Sequence, residues 1–348
     1  MNLLVKNLII IALSFTFIAL SNTSQGCSRI TYDGLDNLVV TGRTMDWMED
    51  MQTDLWALPA GVKRVGSTEQ NSVEWTSKYG SVIASGYNIG TADGINTQGL
   101  SVNLLYLSSS DYGQPVATQK NLSILNWAQY FLDNYATVDE AVKDFTQDKF
   151  NMIAPPLPNG SAATVHLSIT DRSGNNAIFE YEHGKLMVHR NKAYTVMTNE
   201  PVFEKQLTLN DYWQNLDGKF LPGTGEPADR FVRASYYLKT APKTADPQKA
   251  AAIVFSIIRD VSVPMSAVTS GRPNVAATLW RSVADLKDGI YFFENTDRPN
   301  IFWVNLSKLD LKPGVPIKKL SMQNGEVYSG EVSDKFVTSK PFFSTGAA

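Results

Sequence analysis

A chain of 348 residues with 31 lysines and arginines against 34 aspartates and glutamates has a formal net charge of −3. Its charges are spread without a long run of either sign, which excludes the electrostatic footprint of a nucleic-acid or anionic-membrane binder and points to a small or neutral partner. With 43% hydrophobic and 11% aromatic residues it can fill a core, and its single cysteine excludes an intramolecular disulfide.

Lys6, the almost wholly apolar stretch from Leu8 to Leu20, and small polar residues up to Gly26 predict a secretory signal over residues 1–26. The apolar run is shorter than the roughly 20 residues a bilayer-spanning helix needs. No later stretch reads as membrane-spanning, and no repeat, low-complexity tract or linker divides residues 27–348, which are read as a single domain.

Strands joined by a hairpin are predicted over Arg29–Tyr32 and Leu38–Arg43, with a turn at Asp33-Gly34. Ser81–Ala84 and Gly99–Tyr106 read as further strands, the second after a turn at Asn96–Gln98. From Leu122 to Phe145 the apolar spacing becomes helical, and two helices covering a sheet are expected. Thr164–Ile169, Asn176–Tyr181, Lys185–His189 and Tyr194–Met197 read as four closely spaced strands of an antiparallel sheet. Helices are expected over residues 228–240 and 246–259, then strands over Gly289–Glu294 and Ile301–Leu306, then a polar, poorly patterned tail. This order suits a layered α+β domain with an antiparallel core, not regular βαβ units.

Signal peptidases prefer small residues at the third and first positions before the cut, and Ser24 and Gly26 hold those positions ahead of Cys27. Cleavage there makes Cys27 the first residue. An N-terminal cysteine carries its own base, since a free α-amine with pKa of about 7.7–8.0 sits beside the thiol. That amine can take the thiol proton as sulfur attacks an amide carbonyl and return it to the leaving amine. Two other readings of the same position are a lipoprotein signal, with Cys27 acylated and anchoring the chain in the envelope, and an inert cysteine. Against the first, Ser24-Gln25-Gly26 lacks the apolar residue that normally stands three before a lipidated cysteine.

The chain resembles the choloylglycine hydrolase family, which includes penicillin V acylases and bile salt hydrolases, over most of residues 27–306. Five blocks in the family's order carry the resemblance: Cys27-Ser28-Arg29, Gly42-Arg43-Thr44-Met45-Asp46-Trp47, residues 93–102 from Asp93-Gly94-Ile95 to Ser101-Val102, Met197-Thr198-Asn199-Glu200-Pro201-Val202-Phe203, and Asp229-Arg230-Phe231-Val232-Arg233-Ala234. The resemblance implies an αββα sandwich and hydrolysis of linear amides by the N-terminal cysteine.

It also implies that Arg43 lies beside the thiol, where a fixed positive charge favours the thiolate, and that Asp46 holds the α-amine. By the same matching, Asn199 donates to the oxyanion with the backbone N–H of Tyr106 as second donor, and Arg230 is the remaining charged residue of the site. Each has a plain structural alternative: Arg43 and Asp46 as an exposed ion pair, Asn199 as a turn residue, Arg230 as a solvated helix charge. Residues three apart on a straight strand face opposite ways, so a bend between Arg43 and Asp46 is expected.

Met45, Trp47 and Tyr106 are expected to line an apolar acyl pocket. Tyr106 stands where penicillin V acylases tend to carry tyrosine, which favours that substrate class over conjugated bile salts. The short stretch between Asn199 and Arg230 brings the chain closer to exported Gram-negative relatives, some of which cleave acyl homoserine lactones. It also leaves no room for the segment with which the Gram-positive members build a tetramer, so the homo-oligomer stays open. His166, His183 and His189 sit in no catalytic motif, and no metal or cofactor is expected, since His, Asp and Cys do not recur at ligand spacing.

Overall fold

The computed structural model describes residues 26–146, 149–216, 218–265 and 276–342. The expected export signal therefore lies outside the described residues, apart from Gly26. Among the described residues no helix is long and apolar enough to cross a membrane.

In chain order the first strands are β1 (Cys27–Asp33), β2 (Val39–Asp46), β3 (Leu55–Leu58), β4 (Lys63–Val65), β5 (Glu74–Thr76), β6 (Ser81–Gly86), β7 (Gly90–Asn96), β8 (Ser101–Tyr106) and β9 (Lys120–Ser123). Helices α1 (Ile124–Asn134) and α2 (Val138–Phe145) precede β10 (Phe150–Ile153), β11 (Val165–Thr170), β12 (Asn176–Glu182), β13 (Lys185–Arg190) and β14 (Val196–Thr198). Helices α3 (Phe203–Gln214), α4 (Pro227–Thr240) and α5 (Pro247–Asp260) follow. The chain ends in β15 (Thr278–Asp285), β16 (Ile290–Asn295), β17 (Arg298–Asn305), β18 (Lys318–Leu320), β19 (Gly330–Glu331) and β20 (Val337–Thr338).

Seven strands form one sheet in the order β14-β1-β2-β15-β16-β17-β19, and nine form the other, β13-β12-β11-β8-β7-β6-β3-β18-β20. The pairings are antiparallel except at the edge of the first sheet, where β19 runs parallel to β17. Helices α4 and α5 cover the seven-stranded sheet, and α1 and α2 cover the nine-stranded one. The layers are helix, sheet, sheet, helix: the expected αββα sandwich.

Two apolar cores hold the layers. One includes Val82 and Ile95 between the sheets and, on the helix-facing side of β1 and β2, Ile30 and Val40 with Val254 and Ile258 of α5. A Cβ at Gly42 would run into Val254 and Ile258, so α5 lies flat on β2 only because position 42 has no side chain. The other gathers Trp127, Phe131 and Phe145 of the helix pair against Phe179 of the sheet. Helix starts follow the sequence signals: the Asp246 carboxylate accepts from the N–H groups of Gln248 and Lys249, with Pro247 opening α5.

Several elements differ from expectation, and β3, β4, β5, β7, β9 and β10 are additional to the strands expected from the sequence. Of the four strands read as one sheet, β11, β12 and β13 pair together, but β14 crosses to the other sheet and pairs with β1. Helix α3 has no apolar stripe, burying only Phe203 and Gln206, so its sequence carries no helical periodicity. The central strand β15 carries Arg281 and Asp285 within an otherwise strand-like run, and Arg281 is neutralised by Glu294 of β16 at 2.9 Å. The polar tail contributes β18 to β20 because Leu320, Val332 and Phe336 anchor it in the core.

Phe131 is fully buried, with ring centroids 4.8 Å from Phe145 and 5.1 Å from Phe179. Phe131→Ala is expected to lower unfolding free energy in denaturant by about 3–5 kcal/mol without changing the alkylation rate of Cys27.

Candidate active site

Cys27 opens β1 and is 2% exposed. The antiparallel ladder sets Cys27 opposite Met45 and Arg29 opposite Arg43, so alternation places the Cys27, Arg43 and Met45 side chains on one face. Arg43 Nη2 donates to the sulfur at 3.3 Å, and Met45 Sδ lies 3.9 Å from it. Arg43 is held in turn by the Ala92 carbonyl at 3.0 Å and by the ring of Trp280, 4.8 Å from its guanidinium carbon. Its buried counter-charge, Asp93, stands back at 3.8 Å. Asp93 accepts from Asn103, Ser282 and Tyr291; burial pushes its carboxyl upward, with Arg43 opposing. The guanidinium thus keeps a donor for the sulfur.

Asp46 works from the opposite face of β2. Oδ1 accepts from the Thr278 hydroxyl at 2.6 Å, and Oδ2 lies 3.5 Å from Arg230 Nη1 with no hydrogen bond of its own. Burial raises its pKa to about 6, opposed chiefly by Arg230. Arg230, reaching in from α4, donates to the Ser28 hydroxyl at 2.6 Å, to Asn199 Oδ1 at 3.1 Å and to the Gly225 carbonyl at 2.9 Å. A Cβ on Gly26 would lie 2.8 Å from Arg230 Nη2 and 3.0 Å from Asp46 Oδ2. The residue before Cys27 therefore sits against Asp46 and Arg230, and a side chain there would press on the Arg230 guanidinium.

Asn199, fully buried just after β14, uses both ends of its amide. Oδ1 accepts from the Cys27 N–H, and Nδ2 donates to the Tyr106 carbonyl at 2.6 Å. Leu107 N–H donates to Thr164 O in the ladder between β8 and β11. By the alternation of an antiparallel pair, the N–H and C=O of Tyr106 then point away from β11, toward Asn199. The pairing of β7 with β8 ends at Asn103, so no strand of the ladder covers that edge of Tyr106.

All six expected site residues, Cys27, Arg43, Asp46, Tyr106, Asn199 and Arg230, come together at this place. The expected bend between Arg43 and Asp46 is corrected: β2 runs unbroken from Val39 to Asp46, and the irregularity lies opposite, between Thr278 and Trp280 of β15. Arg43 reaches the Cys27 sulfur from one face of β2, and Asp46 lies beside Gly26 from the other. Thr278, 232 residues from Asp46 in sequence, carried no local signal.

The sulfur opens onto a pocket of about 600 Å³, counting its mouth to solvent, whose walls include Met45, Trp47, Leu104, Tyr106, Leu125 and Leu157. Trp47 and Tyr106 meet edge to face at 5.8 Å. Trp47 is fixed by donation to the Tyr87 hydroxyl at 2.7 Å, which donates to Glu49 at 2.5 Å. Tyr87, Leu104, Leu125 and Leu157 escaped the sequence reading because isolated apolar residues look like ordinary core.

The histidines take no part. His166 Nδ1 and His189 Nε2 lie 2.8 and 3.4 Å from the buried Glu180, and His183 occupies a turn with φ 51°. Glu180, Glu182 and His189 each bring a ligand atom within 4.8 Å of the others, but the Glu180 oxygens are already engaged by His166 and the Phe203 N–H.

The model of the linear amide C-N hydrolases, choloylglycine hydrolase family, matches residues 27–322. The chain belongs to the choloylglycine hydrolase family. It is 44% identical to the penicillin V acylase of Pectobacterium atrosepticum over 95% of both chains. A solved penicillin V acylase from Agrobacterium tumefaciens, 46% identical, superposes with a TM-score of 0.86 over 91% of this chain and 98% of the other. A conjugated bile acid hydrolase variant from Clostridium perfringens shares the fold at 23% identity, with a TM-score of 0.73 over 87% and 98% of the two chains. Like the family as a whole, the chain is a linear amide C-N hydrolase.

Two measurements check this geometry. Arg43→Met is expected to slow alkylation of Cys27 by iodoacetamide at pH 7 by about 10-fold, because it removes the guanidinium that donates to the sulfur at 3.3 Å, a charge-assisted bond typically worth about 1.5–3 kcal/mol. In the full-length chain the raised pKa of Asp46 contributes stability below its unfolded value of 3.8 that is lost as pH rises through about 6. Asp46→Asn, which mimics the protonated form, should gain thermal stability relative to the parent across that window; a constant difference contradicts the assignment.

Proposed function

We propose that the chain is exported, cut between Gly26 and Cys27, and acts in the envelope or outside the cell as a penicillin V acylase-type amidase with Cys27 as N-terminal nucleophile. The observation that carries this reading is the orphaned, buried Oδ2 of Asp46 beside Gly26, where a new α-amine would emerge and could donate a hydrogen bond to it. The family match that begins at Cys27 supports the same cut. A lipid anchor on Cys27 would block the sulfur and, once the amine is acylated, the base as well, so the proposed activity requires both to be free.

In the proposed reaction the α-amine takes the thiol proton as Sγ bonds to the acyl carbon. Arg43 steadies the sulfur, and the oxygen's developing charge falls to Asn199 Nδ2 and Tyr106 N–H. The amine passes its proton to the leaving nitrogen as the C–N bond breaks, leaving a thioester. Water then adds with the amine as base, and the thioester breaks down to the free acid, with the proton returned to sulfur. Asp46 and Arg230 hold the amine and Asn199 in register. No step calls on a metal or cofactor.

The apolar pocket beside the sulfur receives the acyl group. Its aromatic wall of Trp47 and Tyr106 suits a phenoxymethyl ring, and the relatives at 44% and 46% identity are penicillin V acylases. A second reading, an alkyl N-acyl substrate such as an acyl homoserine lactone, is favoured by the aliphatic residues of the same pocket, Leu104, Leu125 and Leu157.

Phenoxymethylpenicillin, glycine- and taurine-conjugated bile salts and acyl homoserine lactones should be assayed side by side. Phenoxymethylpenicillin is expected to give the largest kcat/KM; preference for a bile salt overturns the substrate assignment. Cys27→Ala should fold normally with no turnover, and Asn199→Ala should lower kcat by about 10²–10³-fold.

A further inference from the structure

Glu200 follows Asn199 directly, and its side chain turns back onto the loop after β8. Oε1 accepts from the Ser108 N–H at 2.5 Å, the Ser108 hydroxyl at 2.5 Å and the Ser109 N–H at 3.4 Å, while Oε2 accepts from the Ser109 hydroxyl at 3.2 Å. All four donors belong to two consecutive residues. The same two segments also meet where Asn199 Nδ2 donates to the Tyr106 carbonyl at 2.6 Å. Gln206 Nε2 secures the Asn199 segment from its other side, donating to the Asn199 and Pro201 carbonyls at 2.8 Å each.

The need for such a clamp follows from topology. Asn199 leaves an edge strand of the seven-stranded sheet, whereas Tyr106 ends a strand of the nine-stranded sheet. Tyr106 has also passed the last residue that β7 pairs, Asn103, so its inner edge has no ladder to fix it. Two oxyanion donors drawn from different sheets must still hold their separation within about 0.5 Å to act together. A carboxylate suits the task, because it only accepts and so can take four donors at once.

We propose that Glu200 is a positioning residue for amide hydrolysis: by clamping Ser108 and Ser109 it fixes Asn199 Nδ2 and the Tyr106 N–H as a pair. This rests on Cys27 acting as proposed above. Glu200 touches no reacting atom, and its effect runs through the geometry of the oxyanion hole.

Glu200→Ala and Glu200→Gln, prepared in the chain beginning at Cys27, test this. Glu200→Ala is expected to lower kcat by about 10-fold or more, toward the loss of a whole oxyanion donor, with KM within about threefold of the parent. Alkylation of Cys27 by iodoacetamide builds no oxyanion and should be unchanged. Phenoxyacetaldehyde, whose hemithioacetal does place an oxygen in the hole, should bind more weakly by the same factor as kcat falls. Glu200→Gln keeps one acceptor oxygen and should recover most of the loss.

A kcat for Glu200→Ala within twofold of the parent overturns the proposal, as does a parallel fall in kcat and alkylation rate, which marks general support of the fold. Should Glu200→Ala not fold, Ser108→Ala with Ser109→Ala removes the two hydroxyl bonds and is expected to lower kcat by a smaller factor; an unchanged kcat there overturns the proposal equally. A parent chain that turns over no acyl amide would count against the functional reading, and aldehyde binding would still report on the clamp.

Discussion

The side-chain amide of Asn199 holds the site together. Its oxygen receives the Cys27 N–H and Arg230, and its nitrogen gives to the Tyr106 carbonyl. These contacts join three strands, β1, β14 and β8, from both sheets. Cys27, Asn199 and Tyr106 are therefore placed by a single fully buried side chain, and the sandwich has to close before the site exists. An orphaned end on a buried amide would cost about 1–3 kcal/mol, so the arrangement tolerates little slack.

Around this amide the protein buries charge on a scale that stability alone does not favour. Arg43, Arg230 and Asp46 are each fully inaccessible, and Asp93 is nearly so. Replacing buried ion pairs by apolar residues is often neutral or stabilising. Their retention here accords with a site prepared for charge in advance, since fixed donors in a water-excluded place act on developing charge without reorganising. Arg29 extends the pattern. Among the described residues it has no carboxylate partner; it is held by Asn176 and Thr170, and its pKa is drawn down to about 9 by burial.

The sequence disclosed the site more fully than the fold. Cys27 announced itself through the small residues before it, and Arg43, Asp46, Asn199 and Arg230 through their motif blocks; each then met the others in space. Strands with apolar runs or alternation, and helices with an apolar stripe and an Asp-Pro start such as α5, were equally legible. The elements missed lack that signal for physical reasons. Helix α3 scatters Phe203, Leu207, Leu209, Tyr212 and Trp213 around its circumference instead of along one face, β15 carries Arg281, which Glu294 of its neighbour β16 neutralises, and the exchange of β14 between sheets is set by contacts 172 residues apart in sequence, such as Cys27 with Asn199. Thr278 and Glu200 take their meaning only from partners remote in the chain.

The central claim is that cleavage before Cys27 completes the catalytic group by freeing its amine. The direct measurement compares the uncut chain with the same chain released at Cys27 by a specific protease, following hydrolysis of phenoxymethylpenicillin. The account predicts no turnover before the cut and full turnover after it, with one active site titrated per free N-terminal cysteine. Equal activity in the two forms would contradict it.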